Sequence, residues 1–332
     1  MSEKKEAKKA KKAEKKAAKK AGKKGDKAFK VIIAVLLVAA IVGEFYIGLT
    51  MPSKIQDAVS TANPTSAEGG DSAAASLTFT PNTYAGVKFE TQEDVVKYYV
   101  EAYNKTKSQT AQYKDADGNT QTFYKMVGTE NLELKEGSLL LDGAPANSMI
   151  SGMIGPVLSG VFSPNVNGMP PCANRNPDED KDENGDSMTA CRVTPEDVEA
   201  VSVEEKDGKV VLTLMPKAVN MSHKGLDAQG HFFNALGAID STVEGIGVEW
   251  ASGTTADNCK VNYEQGTAVV TIDPASGEIV EADYTMNVQV DVTHVNFKGV
   301  IKDRGAALTL IYTQHFPADD DYLMKTRKLV RL

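Results

Sequence analysis

The sequence lacks the short motifs by which common nucleophilic and metal-dependent enzymes are identified. It contains no GxSxG nucleophile elbow, no KTG and no HExxH zinc motif, and no phosphate-binding glycine loop follows a predicted strand. The four histidines include no i, i+4 pair, and a single tryptophan is few for a sugar-stacking cleft. A hydrolase using two dispersed carboxylates stays open as an alternative, because such a pair has no fixed spacing in sequence. These absences favour a binding or scaffolding role over a catalytic one.

Acidic residues are scarce in the first thirty positions and dominate the rest of the chain. Residues 1–30 hold fourteen lysines against four acidic residues, a net charge of +10, whereas residues 31–332 hold 23 basic and 41 acidic residues, a net charge of −18. Such asymmetry indicates two environments. Residues 1–30 are predicted to form a disordered cytoplasmic arm whose partner is the anionic inner leaflet of a membrane. Nucleic acid is not favoured as a partner, because no aromatic residue precedes Phe29 to stack on bases.

One long apolar run, "VIIAVLLVAAIVGEFYIGL", follows the lysine-rich arm. As a helix it reaches about 28 Å, close to the ~30 Å hydrocarbon core of a bilayer. The sequence therefore predicts a transmembrane helix over residues 31–51. The positive-inside rule then predicts a single-pass cell-membrane protein of a bacterial envelope, with a cytoplasmic N-terminus and an extracytoplasmic C-terminal domain. The alternative is a cleaved signal peptide, whose apolar core would fit residues 31–42.

The region after the apolar run divides into a linker and a folded domain. Residues 52–77 are rich in Ala, Ser, Thr, Gly and Pro and lack aromatic residues, which predicts a flexible tether spanning about 25 to 30 Å. Residues 78–332 are long enough for one substantial core or for two smaller ones. They are predicted to form the extracytoplasmic α+β domain.

Local patterns within this domain predict both helices and antiparallel strands. Thr91 followed by Asp94 is a weaker form of the capping box and begins a helical pattern. Asp117-Gly118 and Asp207-Gly208 are typical of hairpin turns. Apolar residues at helical spacing continue through residues 149–162, and residues 259–316 predict a four-strand antiparallel meander. The expected fold class is α+β, with a curved antiparallel sheet packed on helices.

This order of elements, including "DGKVVLTL" and "VVTIDPASGEIVEADYTMNV", resembles the half-barrel folds of periplasmic lipoprotein carriers over residues 85–316. The resemblance implies a curved sheet that wraps helices and encloses a cavity for acyl chains. It assigns no role to any individual residue.

An apolar ligand pocket is the functional hypothesis that follows. Flexible methionines suit adaptable pockets. The predicted lining for a lipid or other apolar ligand is Met149, Met153, Ile154, Val157, Phe162, Phe232 and Phe233. Ordinary core packing of the same residues is the alternative. A third possibility is an interaction module of an envelope complex that has no pocket.

The loop "CANRNPDEDKDENGDSMTAC" raises the possibility of a cation site. From Asp180 it follows D-x-D-x-N-G, the first half of a calcium-binding loop, with Asp180, Asp182, Asn184 and Asp186 as candidate ligands. The twelfth position is Cys191 instead of the bidentate glutamate that closes a calcium shell. A weak calcium site and a solvated acidic loop therefore remain alternatives.

The cysteines flank this loop. In an oxidising extracytoplasmic environment, Cys172 and Cys191 are predicted to form a disulfide, which would contribute roughly 3 kcal/mol by closing a loop of about 20 residues. Cys259 is then the unpaired cysteine and is expected to be a buried free thiol. No histidine pair at zinc-ligand spacing is present, although His294 and His315 could approach each other across the meander.

Overall fold

The computed structural model describes residues 77–145, 165–171, 175–182, 184–233, 248–297 and 301–332. The predicted cytoplasmic arm, the predicted transmembrane helix and all but the last residue of the predicted linker lie outside these ranges.

Within these ranges no helix combines the length and the apolar character needed to cross a bilayer. The predicted localisation is corrected on this finding. The described structure does not support the predicted single-pass anchor over residues 31–51. It also does not support the extracytoplasmic placement that depended on this anchor.

Strands form about half of the described chain. They are β1 (Asn82–Tyr84), β2 (Val87–Phe89), β3 (Thr110–Lys114), β4 (Thr120–Tyr124), β5 (Val127–Leu134), β6 (Leu140–Leu141), β7 (Ala144–Pro145), β8 (Asn165–Gly168), β9 (Val198–Lys206), β10 (Lys209–Pro216), β11 (Val219–Asn220), β12 (Val248–Trp250), β13 (Cys259–Asp273), β14 (Glu278–Phe297), β15 (Ile301–Phe316) and β16 (Val330–Arg331). The α-helices are α1 (Gln92–Lys107), α2 (Ala228–Phe232), α3 (Thr255–Asn258) and α4 (Asp320–Arg327).

An eleven-stranded antiparallel sheet organises the molecule. Its main path runs β7-β6-β15-β14-β13-β10-β9, and β5 also pairs with β15 and with β8. The short strand β11 pairs with β13, and the short strand β12 pairs with β14. A separate three-stranded sheet has the order β16-β3-β4, and β1 and β2 form a hairpin.

The predicted α+β class is wrong, because the protein is mostly β. Strands β13, β14 and β15 have 15, 20 and 16 residues, whereas α1, the longest of the described helices, has 16. The helix predicted over residues 149–162 lies outside the described residues.

Helix α1 confirms the prediction made from Thr91 and Asp94. The Thr91 side chain accepts from the backbone N–H of Asp94, and the Asp94 carboxylate accepts from the backbone N–H of Thr91. Such a box satisfies two N–H groups that otherwise lack partners at a helix start. One face of α1 is buried against the sheet, where the hydroxyls of Tyr99 and Tyr284 hydrogen-bond at 3.1 Å.

The two faces of the sheet differ in exposure. Along β14 the side chains of Ala282, Tyr284 and Met286 are buried in the core, while those of Glu281 and Asp283 are exposed. This is the period-2 alternation of a sheet with one packed face and one open face. A second, smaller core lies beside the three-stranded sheet and α4 and is formed by Tyr113, Tyr124, Val127, Val166, Ala318, Leu323 and Leu329. The open face of β14 and β15 adjoins α4 and β16, since residues of all four elements line one cleft.

Candidate metal centre and its cleft

Two of the predicted pocket residues belong to the packed core. Phe232 and Phe233 are fully buried, and the ring of Phe232 stacks on that of Tyr99 with centroids 5.7 Å apart. The other five predicted lining residues, Met149, Met153, Ile154, Val157 and Phe162, lie outside the described residues. The apolar ligand pocket stays a prediction.

The acidic loop is held by a buried ion pair to α1. The ammonium of Lys107 lies 2.9 Å from Oδ2 of Asp180, and both side chains are fully excluded from solvent. Lys107 also donates to the hydroxyl of Tyr103 at 2.7 Å and to the carbonyl of Met188 at 2.9 Å. All three ammonium protons therefore have acceptors. The second oxygen of Asp180 lies 3.6 Å from the ammonium of Lys224.

Asp182, the next candidate calcium ligand, is bound by Arg192. The guanidinium donates to Oδ2 at 2.6 Å, and the backbone N–H groups of Asn184 and Asp186 each donate to Oδ1 at 2.9 Å. Burial alone would raise the pKa of Asp182, but these hydrogen bonds, led by that of Arg192, hold the pKa below its usual value.

Lys107 and Arg192 thus bind two of the three carboxylates that are candidate calcium ligands. Calcium binding by Asp180, Asp182, Asn184 and Asp186 stays a prediction that this geometry does not favour. Local sequence could not reveal the arrangement, since Lys107 is 73 positions from Asp180.

The predicted Cys172–Cys191 disulfide is wrong. Cys191 is a free thiol whose backbone N–H donates to the side chain of Asn104 on α1 at 2.7 Å. Cys172 lies outside the described residues. The expectation of a buried free thiol at Cys259 is confirmed.

Cys191 is expected to resist alkylation in the folded protein. Burial raises the pKa of its thiol to about 12, so at pH 8 almost none is present as the reactive thiolate. Iodoacetamide at pH 8, followed by peptide mass spectrometry, should leave Cys191 unmodified in the native protein. In denaturant without reductant it should be fully alkylated. A Cys191 peptide that resists alkylation in denaturant until reductant is added would instead restore the disulfide.

Three exposed side chains converge on the open face of β14 and β15. Glu281, Asp283 and His315 each offer a ligand atom, and these atoms all lie within 4.8 Å of one another. In the described part of the chain this is the one group of three or more His, Cys, Asp or Glu side chains that could hold a metal ion.

The sheet register creates this group. Asp283 and His315 are directly paired across β14 and β15, and Nδ1 of His315 lies 2.8 Å from Oδ1 of Asp283. Glu281 is two residues from Asp283 along the same strand and therefore points to the same face. In the sequence, Asp283 and His315 are 32 residues apart. This separation does not indicate a contact until the strand register is known.

A cleft of about 640 Å³ adjoins the three residues. Glu281 and His315 line its wall on the sheet, Tyr322 lines it from α4, and Arg331 lines it from β16. Lys209 of β10 lines it from farther along the sheet. The volume falls within the range of about 300 to 1,000 Å³ typical of small-molecule sites.

A second histidine–aspartate pair provides an internal comparison. Nδ1 of His294 lies 2.7 Å from Oδ1 of Asp303, and the two side chains are 50% and 62% exposed. The corresponding values for His315 and Asp283 are 2.8 Å, 49% and 57%. The pairs are nearly identical, but no third metal-ligating side chain joins His294 and Asp303 within the part of the chain that the structure describes.

No family model, no curated protein and no solved structure matches this chain.

Proposed function

We propose that this protein is a binding protein that holds a divalent first-row transition metal cation on Glu281, Asp283 and His315. The observation that supports the proposal is the convergence of one imidazole and two carboxylates at the wall of a cleft. Imidazole suits zinc, iron, nickel and copper, and carboxylates suit harder ions such as manganese. The mixed set favours Zn²⁺ or Mn²⁺.

The spacing of the ligand atoms fits a single ion. With metal–ligand distances of about 2.0 to 2.2 Å, two ligand atoms of one ion lie at most about 4.4 Å apart. The three exposed side chains lie within 4.8 Å of one another, so small rotations bring them into range. Asp283 and His315 already touch through a hydrogen bond, so the metal would take the place of the proton that they share.

Three protein ligands leave at least one coordination position open. Structural zinc sites are closed by four protein ligands, whereas catalytic zinc sites have three protein ligands and keep the fourth position for water or substrate. Here Glu281 and His315 also line the cleft, which places a bound ion at the cleft wall. The protein is accordingly proposed to bind a ligand through the metal, as a binding protein would.

Calorimetric titration of the full-length protein with ZnCl₂, and separately with MnCl₂, tests this function. The wild type should bind one ion at this site. Asp283→Asn and His315→Ala should each weaken binding by more than about 100-fold, because even outer-shell substitutions at metal sites cost about 10- to 100-fold.

His294→Ala is the matched control, since it removes an equally exposed histidine with an equivalent aspartate partner. Its metal affinity should equal that of the wild type. Equal loss of binding in His294→Ala and His315→Ala, or no binding by the wild type, would contradict the proposed function.

A further inference from the structure

The cleft beside the proposed metal centre contains a cation without a counterion. Lys209 is half-buried and lines the cleft, yet no carboxylate among the described residues lies within ion-pair distance of its ammonium. Holding an ammonium partly out of water without an anion costs free energy that a bound anion would recover. The part of the cleft lined by Lys209 is therefore suited to a negatively charged group of a ligand.

The acids on the opposite wall are already engaged. Asp319 caps α4 by accepting from the backbone N–H of Tyr322 at 3.0 Å. Asp320 lies 3.6 Å from the guanidinium of Arg331. Neither aspartate pairs with Lys209, so the ammonium is left for a ligand.

The two binding elements lie on strands that are not adjacent. Lys209 is on β10 and Glu281 is on β14, and β13 lies between these strands. Adjacent strands are about 4.8 Å apart, so the two backbone positions are separated by about 10 Å across the sheet. A ligand with one anionic group at each end of a short chain can contact both.

We infer that the cleft binds an extended organic dianion. One of its carboxylates completes the coordination of the metal held by Glu281, Asp283 and His315, and the other pairs with Lys209. This inference rests on the proposed metal-binding function and adds the chemical class of the ligand.

Octanedioate and octanoate are suitable probes, because they share one chain length and differ only in the second carboxylate. Calorimetry of the full-length, zinc-loaded protein should show octanedioate binding at least tenfold more tightly than octanoate. Metal-free protein should show no such preference.

Two lysine variants test whether the second carboxylate of the ligand pairs with Lys209. Lys209→Gln should abolish the tenfold preference, whereas Lys206→Gln should keep it, because Lys206 is the exposed strand neighbour of Lys209 and does not line the cleft. Equal affinity for the two probes, or a preference that survives Lys209→Gln, would overturn the inference.

The zinc titration separates this outcome from a failure of the proposed function. Zinc bound without a preference for octanedioate overturns the dianion alone. Absence of zinc binding overturns both. A preference for octanedioate that is equally strong in metal-free protein overturns the metal-bridged binding of the dianion and leaves the proposed metal site standing.

Discussion

Replacing Lys107 with methionine is expected to lower the free energy of unfolding by about 3 to 5 kcal/mol, because it leaves the buried carboxylate of Asp180 without its main counterion. Both side chains are fully buried, and the ammonium makes three short contacts to protein acceptors. Methionine retains much of the volume, so the loss reports charge and hydrogen bonding more than packing. Equilibrium denaturation of the wild type and the variant measures the difference.

Lys325→Met is the matched control. Lys325 also pairs with an aspartate, Asp321 at 3.2 Å, but both side chains are more than 70% exposed. Exposed ion pairs contribute between about 0 and 1 kcal/mol, so this variant should be nearly as stable as the wild type. The double variant Lys107→Met with Asp180→Asn should regain part of the lost stability, because it removes the stranded charge. Equal stability of Lys107→Met and Lys325→Met would refute the buried pair.

Gly128→Ala is expected to destabilise the protein by about 3 kcal/mol, at the upper end of the usual cost of overpacking. Gly128 lies on β5, where an added Cβ would overlap the carbonyl oxygen of His315 and the ring of Phe316. The obstacle is backbone and a fully buried ring, neither of which can move aside cheaply. Thermal or denaturant unfolding measures the loss, and β5 would be pushed away from β15 beside the metal centre.

Gly305→Ala provides the comparison. Gly305 is on β15 and, like Gly128, does not have a positive φ, so neither substitution strains the backbone. The closest atom to an added Cβ there is the carbonyl oxygen of Val292 at 3.3 Å, a tight contact that a small shift relieves. Its stability should change by less than about 1 kcal/mol. Similar losses at the two positions would show that β5 does not approach β15 as closely as described.

Short sequence patterns correctly predicted the elements that depend on neighbouring residues. The capping residues of α1 and the Asp207-Gly208 turn between β9 and β10 are both found where the sequence placed them. Within the meander predicted for residues 259–316, Gly266 lies at a bulge of β13 and not at a turn, because β13 continues to pair with β14 on both sides of it. Pairing with a neighbouring strand outweighed the turn propensity of Gly266, and the expected four-strand meander became three long strands.

The candidate sites depend on contacts that short sequence patterns do not reveal. The D-x-D-x-N-G pattern raised a cation site in the acidic loop as one alternative, but Lys107 of α1 and Arg192 just after the loop neutralise two of its carboxylates. The group of Glu281, Asp283 and His315 depends on the pairing of β14 with β15. A register shift of one residue would place Asp283 and His315 on opposite faces.

Anomalous diffraction from crystals of the full-length protein grown with zinc tests the metal centre most directly. Data collected at the zinc absorption edge should show a peak within about 2.0 to 2.2 Å of a carboxylate oxygen of Glu281, a carboxylate oxygen of Asp283 and a ring nitrogen of His315. A peak confined to the acidic loop around Asp182, with none between these three side chains, would contradict the account.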